Sequence, residues 1–159
     1  MKLMDWTTLL DQPKAILGAY AGTAPSLTTF APYAWHADAH QVAFAGQFLQ
    51  LPEKVPPRWG SADKARADFV FTFSGIRALH VDGMLLTSPN DDSLHGNPCG
   101  EPGDCSLIAL PEAFLLLPDG STRPWKQFRF VQRSFSFQIE AGNVRIVSGR
   151  RAASHPEDV

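Results

Sequence analysis

Only two cysteines occur among the 159 residues, Cys99 and Cys105. Together with His95 and Asp104 they form a loose group of ligand-type residues, but no paired C-x-x-C accompanies them, so the spacing of a zinc knuckle is absent. A short Cys99–Cys105 bridge is sterically feasible, although a cytosolic chain keeps both thiols reduced. Long apolar runs are missing as well. No window approaches the roughly 20 residues needed to span a bilayer, and Met1 to Asp11 lacks the continuous apolar stretch of a secretory signal. A cytoplasmic chain with no membrane contact is the expectation. Catalytic templates are absent too: there is no phosphate-cradling glycine loop, no G-x-S-x-G elbow and no H-E-x-x-H. No enzymatic activity and no cofactor are expected.

The last absence is of one charge. From Ala78 to Thr122 there is no Lys or Arg, while Asp82, Asp91, Asp92, Glu101, Asp104, Glu112 and Asp119 are all acidic. Between Arg123 and Arg151 the sign reverses, with Lys126, Arg129, Arg133, Arg145 and Arg150 also basic and only Glu140 opposing them. Two readings follow. Acidic and basic strands pair across a sheet, or the acidic segment steers a basic protein partner. With a net charge of −2, nucleic acid is not an expected ligand. The partner-binding candidates are Asp82, Asp91, Asp92, Glu101 and Asp104.

What the chain has in quantity is phenylalanine, eleven of them, within a composition 44% hydrophobic and 19% charged. That is ordinary for a soluble globular domain. Phe69, Phe71 and Phe73 alternate with Val70, Thr72 and Ser74, the period of a strand with one buried face. Gly75 then breaks the pattern, as a bulge or bend does. Trp6 to Leu10 and Lys14 to Tyr20 read as two short helices, with Pro13 at the first turn of the second. Extended segments follow at Thr28 to His36, Val42 to Leu51, Ala67 to Val81, Ser106 to Leu117 and Gln127 to Val131. Phe135 to Glu140 and Val144 to Ser148 read as a β-hairpin turning at Ala141-Gly142-Asn143. Pro52 to Trp59 reads as a crossing segment, and Ser88 to Gly103 as a long loop. The expectation is an α+β domain over residues 1–150, N-terminal helices packed on a mostly antiparallel β-sheet, with a polar tail at 151–159.

His36-Ala-Asp38-Ala-His40 is the sharpest metal-like pattern. On one straight strand His36, Asp38 and His40 share a face, and two imidazoles with a carboxylate suit zinc or iron. This makes a metal-dependent enzyme or small-ligand sensor the alternative reading. Against it, Val42, Phe44 and Phe48 begin a strand just after His40, which places the motif across a hairpin turn and splays its side chains.

The opening Trp6, Leu9-Leu10, Pro13-Lys14-Ala15-Ile16, Tyr20 and Pro25-Ser26-Leu27 resembles the start of the immunity protein 50 family of bacterial polymorphic toxin systems. The likeness continues through the turn at Asp38, Leu51-Pro52, Pro56-Pro57-Arg58-Trp59, and Phe69 to Ile76 running on to Asp82-Gly83. Ser88 to Asp104 and Pro111 to Trp125 are longer than the family's pattern. The resemblance implies a small α+β protein that binds and neutralises a cognate toxin by occlusion, with no catalytic residues.

Overall fold

The computed structural model describes residues 5–55, 57, 67–83, 86–87, 94–96, 101–133 and 135–148. Eight strands form one sheet: β1 (Phe30–Ala37), β2 (Gln41–Phe48), β3 (Ala67–Asp82), β4 (Leu86–Thr87), β5 (Leu94–Gly96), β6 (Asp104–Leu116), β7 (Thr122–Val131) and β8 (Ser136–Ser148). Their order is β4-β5-β1-β2-β3-β8-β7-β6, and every pairing is antiparallel. The helical part is smaller than the sequence suggests. It comprises one short helix, α1 (Lys14–Ala19), and two 3-10 turns at Trp6–Leu9 and Leu27–Thr29.

Local chemistry explains the short helix. Beyond Ala19 the chain enters the left-handed region at Ala21 (φ 54°) and Gly22 (φ 87°), and the Gly22 N–H donates to Leu17 O at 2.8 Å. That bond closes a Schellman-type end. The first 3-10 turn is capped by Asp5, whose Oδ1 accepts from Thr7 N at 2.9 Å. Both elements feed the core: Ile16 and Ala19 are buried, Trp6 lies 5.8 Å from Phe71, and Tyr20 lies 6.4 Å from Phe48.

The sheet is strongly curled. Phe44 on β2 lies 4.4 Å from Phe137 on β8, two strands away, and 5.5 Å from Phe128 on β7, three strands away. In a flat sheet those spacings are about 10 and 14 Å. Only a sheet wrapped about its aromatic face brings the rings together. The alternating phenylalanines of β3 therefore do what their period implies: Phe69, Phe71 and Phe73 are fully buried. Close approach also fixes Gly46, where a Cβ would sit 2.6 Å from Ala31 O and 2.8 Å from Pro32 Cα.

Two segments differ from the sequence reading. Ala141-Gly142-Asn143 is no hairpin turn, because β8 runs unbroken through it and stays paired with β3 on both sides. Gly142 and Asn143 instead face the Gly75 bend (φ 62°), where the β3 to β8 register shifts between Ile76 and Ala78. A bulge and a turn carry the same small residues, and here the bulge is what the curl requires. The run Ser88 to Gly103 is also not wholly loop: Leu94–Gly96 pairs with β1 as Trp35↔Gly96, His36↔His95 and Ala37↔Leu94. The polar tail at 151–159 lies outside the described residues.

Two substitutions test this architecture by urea unfolding. Phe44→Ala is expected to cost about 3–5 kcal/mol, the range for emptying a buried aromatic site, and a loss under about 1 kcal/mol counts against the curled core. Ala21→Gly is expected to raise stability by about 1 kcal/mol, since glycine occupies the left-handed position without Cβ strain.

Candidate functional site

Three of the five acidic candidates, Asp82, Glu101 and Asp104, lie at one end of the sheet. The described register rows read Asp82↔Ser136 between β3 and β8, Ser136↔Val131 between β8 and β7, and Val131↔Asp104 between β7 and β6. Asp82 and Asp104 therefore share one row, three strand spacings or roughly 14 Å apart along the sheet. Glu101 lies three residues before Asp104, at the same end, and its backbone carbonyl accepts from the Gln132 side chain. All three carboxylates are exposed. Asp91 and Asp92 lie outside the described residues. The rim also carries Arg133, in the turn closed by Gln132 N donating to Phe135 O at 2.7 Å. Arg129 stands two rows inward, opposite Ser106 and Gln138.

Ion pairing separates the two charge readings. Among the described residues the salt bridges are Arg77–Glu140 (2.7 Å), Arg123–Asp11 (3.5 Å) and Lys126–Asp11 (3.4 Å). None takes a carboxylate from the cation-free segment. The basic residues of the last third are thus partly committed elsewhere. Lys126, counted by its sequence as part of a basic surface, is buried beside Phe128 on the inner face and meets Asp11 of the N-terminal segment. Arg123 shares that carboxylate and also donates to Asn143 Oδ1. Arg77 lies over the Trp125 ring, 5.1 Å from its centroid, while bonded to Glu140. These contacts hold the chain's own elements together, and only the partner carboxylate far away in sequence, Asp11, signals the burial of Lys126.

The His36, Asp38 and His40 pattern straddles a turn. His36 is in β1, and Asp38 N donates to Gln41 O at 3.0 Å to close the β1–β2 hairpin. Asp38 Oδ1 accepts from His40 N at 2.8 Å and Gln41 N at 2.9 Å. The carboxylate thus caps its own turn, as aspartate does in an Asx-turn. Among the described residues no three His, Cys, Asp or Glu side chains come together to hold a metal ion. Across this turn His36, Asp38 and His40 do not form such a group, and Asp38 Oδ1 is taken up by backbone amides. Those two backbone hydrogen bonds also hold the Asp38 carboxyl below its ordinary value.

Three further described groups are shifted from their ordinary values. Cys105, on β6 opposite Phe130, packs against the core, and burial pushes its thiol well above the usual range. A thiol so placed is a poor nucleophile at neutral pH. Burial likewise raises the Tyr20 phenol, whose hydroxyl donates to Gln50 O at 2.5 Å. Asp119 sits in the β6–β7 turn with its carboxylate lowered by hydrogen bonds from the Ser121 hydroxyl and amide.

Comparison with family models, with curated proteins and with solved structures finds no match to this chain. Among the described residues no helix is long and apolar enough to cross a membrane.

The Asp38 turn makes a signed prediction. A carboxyl depressed in the folded state stabilises above its unfolded value of about 3.9 and loses that contribution as pH falls through the folded value. Asp38→Asn keeps an acceptor for the two amides but removes the charge. Its stability deficit relative to wild type is expected to shrink as pH drops below about 4, whereas Asp38→Ala stays less stable at every pH. Parallel urea titrations across that range check this, and a pH-independent deficit for Asn contradicts it.

Proposed function

We propose that this chain is a non-catalytic binding protein of the immunity type, one that neutralises a cognate bacterial toxin domain by covering it. The proposed recognition surface is the acidic rim of Asp82, Glu101 and Asp104. The observation that carries the reading is the unspent charge on that rim. Three exposed carboxylates converge at one sheet end, and no ion pair among the described residues consumes them. Such a field raises the encounter rate with a basic surface and rejects acidic ones. The likeness to the immunity protein 50 family supplies the class of partner, and the carboxylate of Asp38, bonded to two amides of its own turn, counts against the alternative metal-site reading. On this reading the protein acts in the cytoplasm of the producing cell and its siblings, and needs no cofactor.

Recognition by a rim gives specificity without a motif. Shape and charge placement discriminate among toxins, and like charges set against each other reject the wrong one. Arg129 and Arg133 then serve as local punctuation in an otherwise negative field.

Co-expression with the C-terminal domains of large secreted proteins encoded beside this gene tests the reading. One such domain is expected to be toxic alone, harmless with this protein, and to co-purify with it. In that complex the double variant Asp82→Lys, Asp104→Lys is expected to slow association at least about tenfold and to flatten its salt dependence. If toxicity and complex formation are unchanged for every such neighbour, the reading fails. If the complex forms but the double variant associates normally, another surface makes the contact.

A further inference from the structure

The last strands of the sheet part where β7 leaves β8. Among the described residues their pairing runs from Val131↔Ser136 only as far as Lys126↔Ala141. Beyond that row β7 continues against β6 alone, to Thr122↔Leu116, as a two-stranded ribbon, while β8 continues against β3 alone, to Ser148↔Phe69. Side chains of both strands and of the N-terminal segment meet in the notch between them. Lys126 and Arg123 come from β7 and Asn143 from β8, and Asp11 is tied to β8 by its amide, which donates to Val144 O at 2.9 Å.

Donors outnumber acceptors in this notch. An ammonium offers three N–H groups and a guanidinium five, yet among the described residues the acceptors they meet are Asp11 Oδ1 and Asn143 Oδ1. Asp11 is stretched between its two cations. Lys126 Nζ stands 3.4 Å and Arg123 Nη1 3.5 Å from the same oxygen, against about 2.7–2.9 Å for a close charge-assisted bond. The Lys126 side chain is only 9% exposed, and Arg123 Nε is buried with no hydrogen-bond partner. A buried donor left unmet is costly, and it marks a place where a further acceptor fits. The charges agree with the donors. One carboxylate faces two cations, and Glu140, the other ion-paired carboxylate among the described residues, is taken by Arg77. The Arg123 side chain is 32% exposed, so solvent reaches the notch on its side.

We propose that Arg123 and Lys126 bind a small oxyanion in this notch, the phosphate or carboxylate group of a ligand. A planar guanidinium takes two oxygens of such a group through Nε and a terminal nitrogen, and Lys126 adds a point charge from the inner face of β7. Asp11 has two opposed effects. It orients both cations, and it competes for them with the incoming anion. The notch lies five residues along β7 from Val131, whose row carries Asp82 and Asp104, or about 17 Å from the acidic rim. The oxyanion site therefore stands independently of the proposed toxin binding.

Calorimetric titration and thermal unfolding of the full chain test the proposal, with sodium phosphate and sodium acetate each set against sodium chloride at matched ionic strength. Saturable binding of at least one of the two anions is expected, with a rise in melting temperature that chloride does not give. The anion that saturates, phosphate or acetate, names the group the site takes. Arg123→Gln and Lys126→Met, each with an unchanged circular dichroism spectrum, are expected to weaken that binding at least about tenfold. Asp11→Asn removes the competing charge and is expected to tighten binding at least about threefold, which a purely structural clasp does not do. Absence of saturable binding to both the wild type and Asp11→Asn overturns the proposal, as does binding equally strong in Arg123→Gln.

Discussion

Contact between rings on strands that are not neighbours is the constraint on which the remaining structure depends. Phe44 touches Phe137, Phe128, Phe130 and Phe135, and Phe71 touches Phe30 and Phe128. These contacts cannot form in a flat sheet, so burying the rings and curling the strands are one event. The irregularities follow from it. The register shifts at Pro32/Ala34, Ile76/Ala78 and Ala109/Phe114 are where strands bend to follow the curl. The N-terminal segment then lays Trp6, Ile16 and Tyr20 against the aromatic face, with Asp11 bonding through its amide to Val144 O at 2.9 Å.

The curl decides what remains outside. With the large side chains gathered inward, Asp82, Glu101 and Asp104 fall at one end of the sheet, and the two-stranded end of β6–β7, with Asp119 in its turn, at the other. Three cations are held in internal contacts: Lys126 and Arg123 meet Asp11, and Arg77 bridges Glu140 and Trp125. A formal net charge of −2 therefore conceals a more polar distribution than its size implies.

Legibility in the sequence tracks how local each determinant is. The β3 alternation, the hairpin turn at Asp38, the Gly75 break and the end of α1 near Gly22 all rest on residues within a few positions of one another, and each is readable. Strand order, the curl and the partners of Lys126 depend on contacts between distant residues, and none is. The misread turn at Ala141-Gly142-Asn143 lies between these cases. Gly and Asn suit a left-handed turn and a bulge equally, and only the neighbouring β3 bend and the packing of Leu115 on Gly142 select the bulge. β5 is hidden because Leu94–Gly96 is too short to show a period. For the candidate site, the run without cations is visible at once, but that Asp82 and Asp104 share a row follows only from the β3-β8-β7-β6 order.

Native-state hydrogen exchange on the free protein tests the central claim, that the cross-strand aromatic cluster is the cooperative unit from which the acidic end and the β6–β7 ribbon project. The amides of Phe44, Phe71, Phe128, Phe137 and Ile139 are expected to exchange together and slowest, at the free energy of global unfolding. Those of the ribbon, Phe114 to Leu116 and Thr122 to Arg123, are expected to open at lower free energy. Protection in the ribbon or in α1 equal to that of the aromatic strands, or separate opening of β2 and β8, would contradict the account.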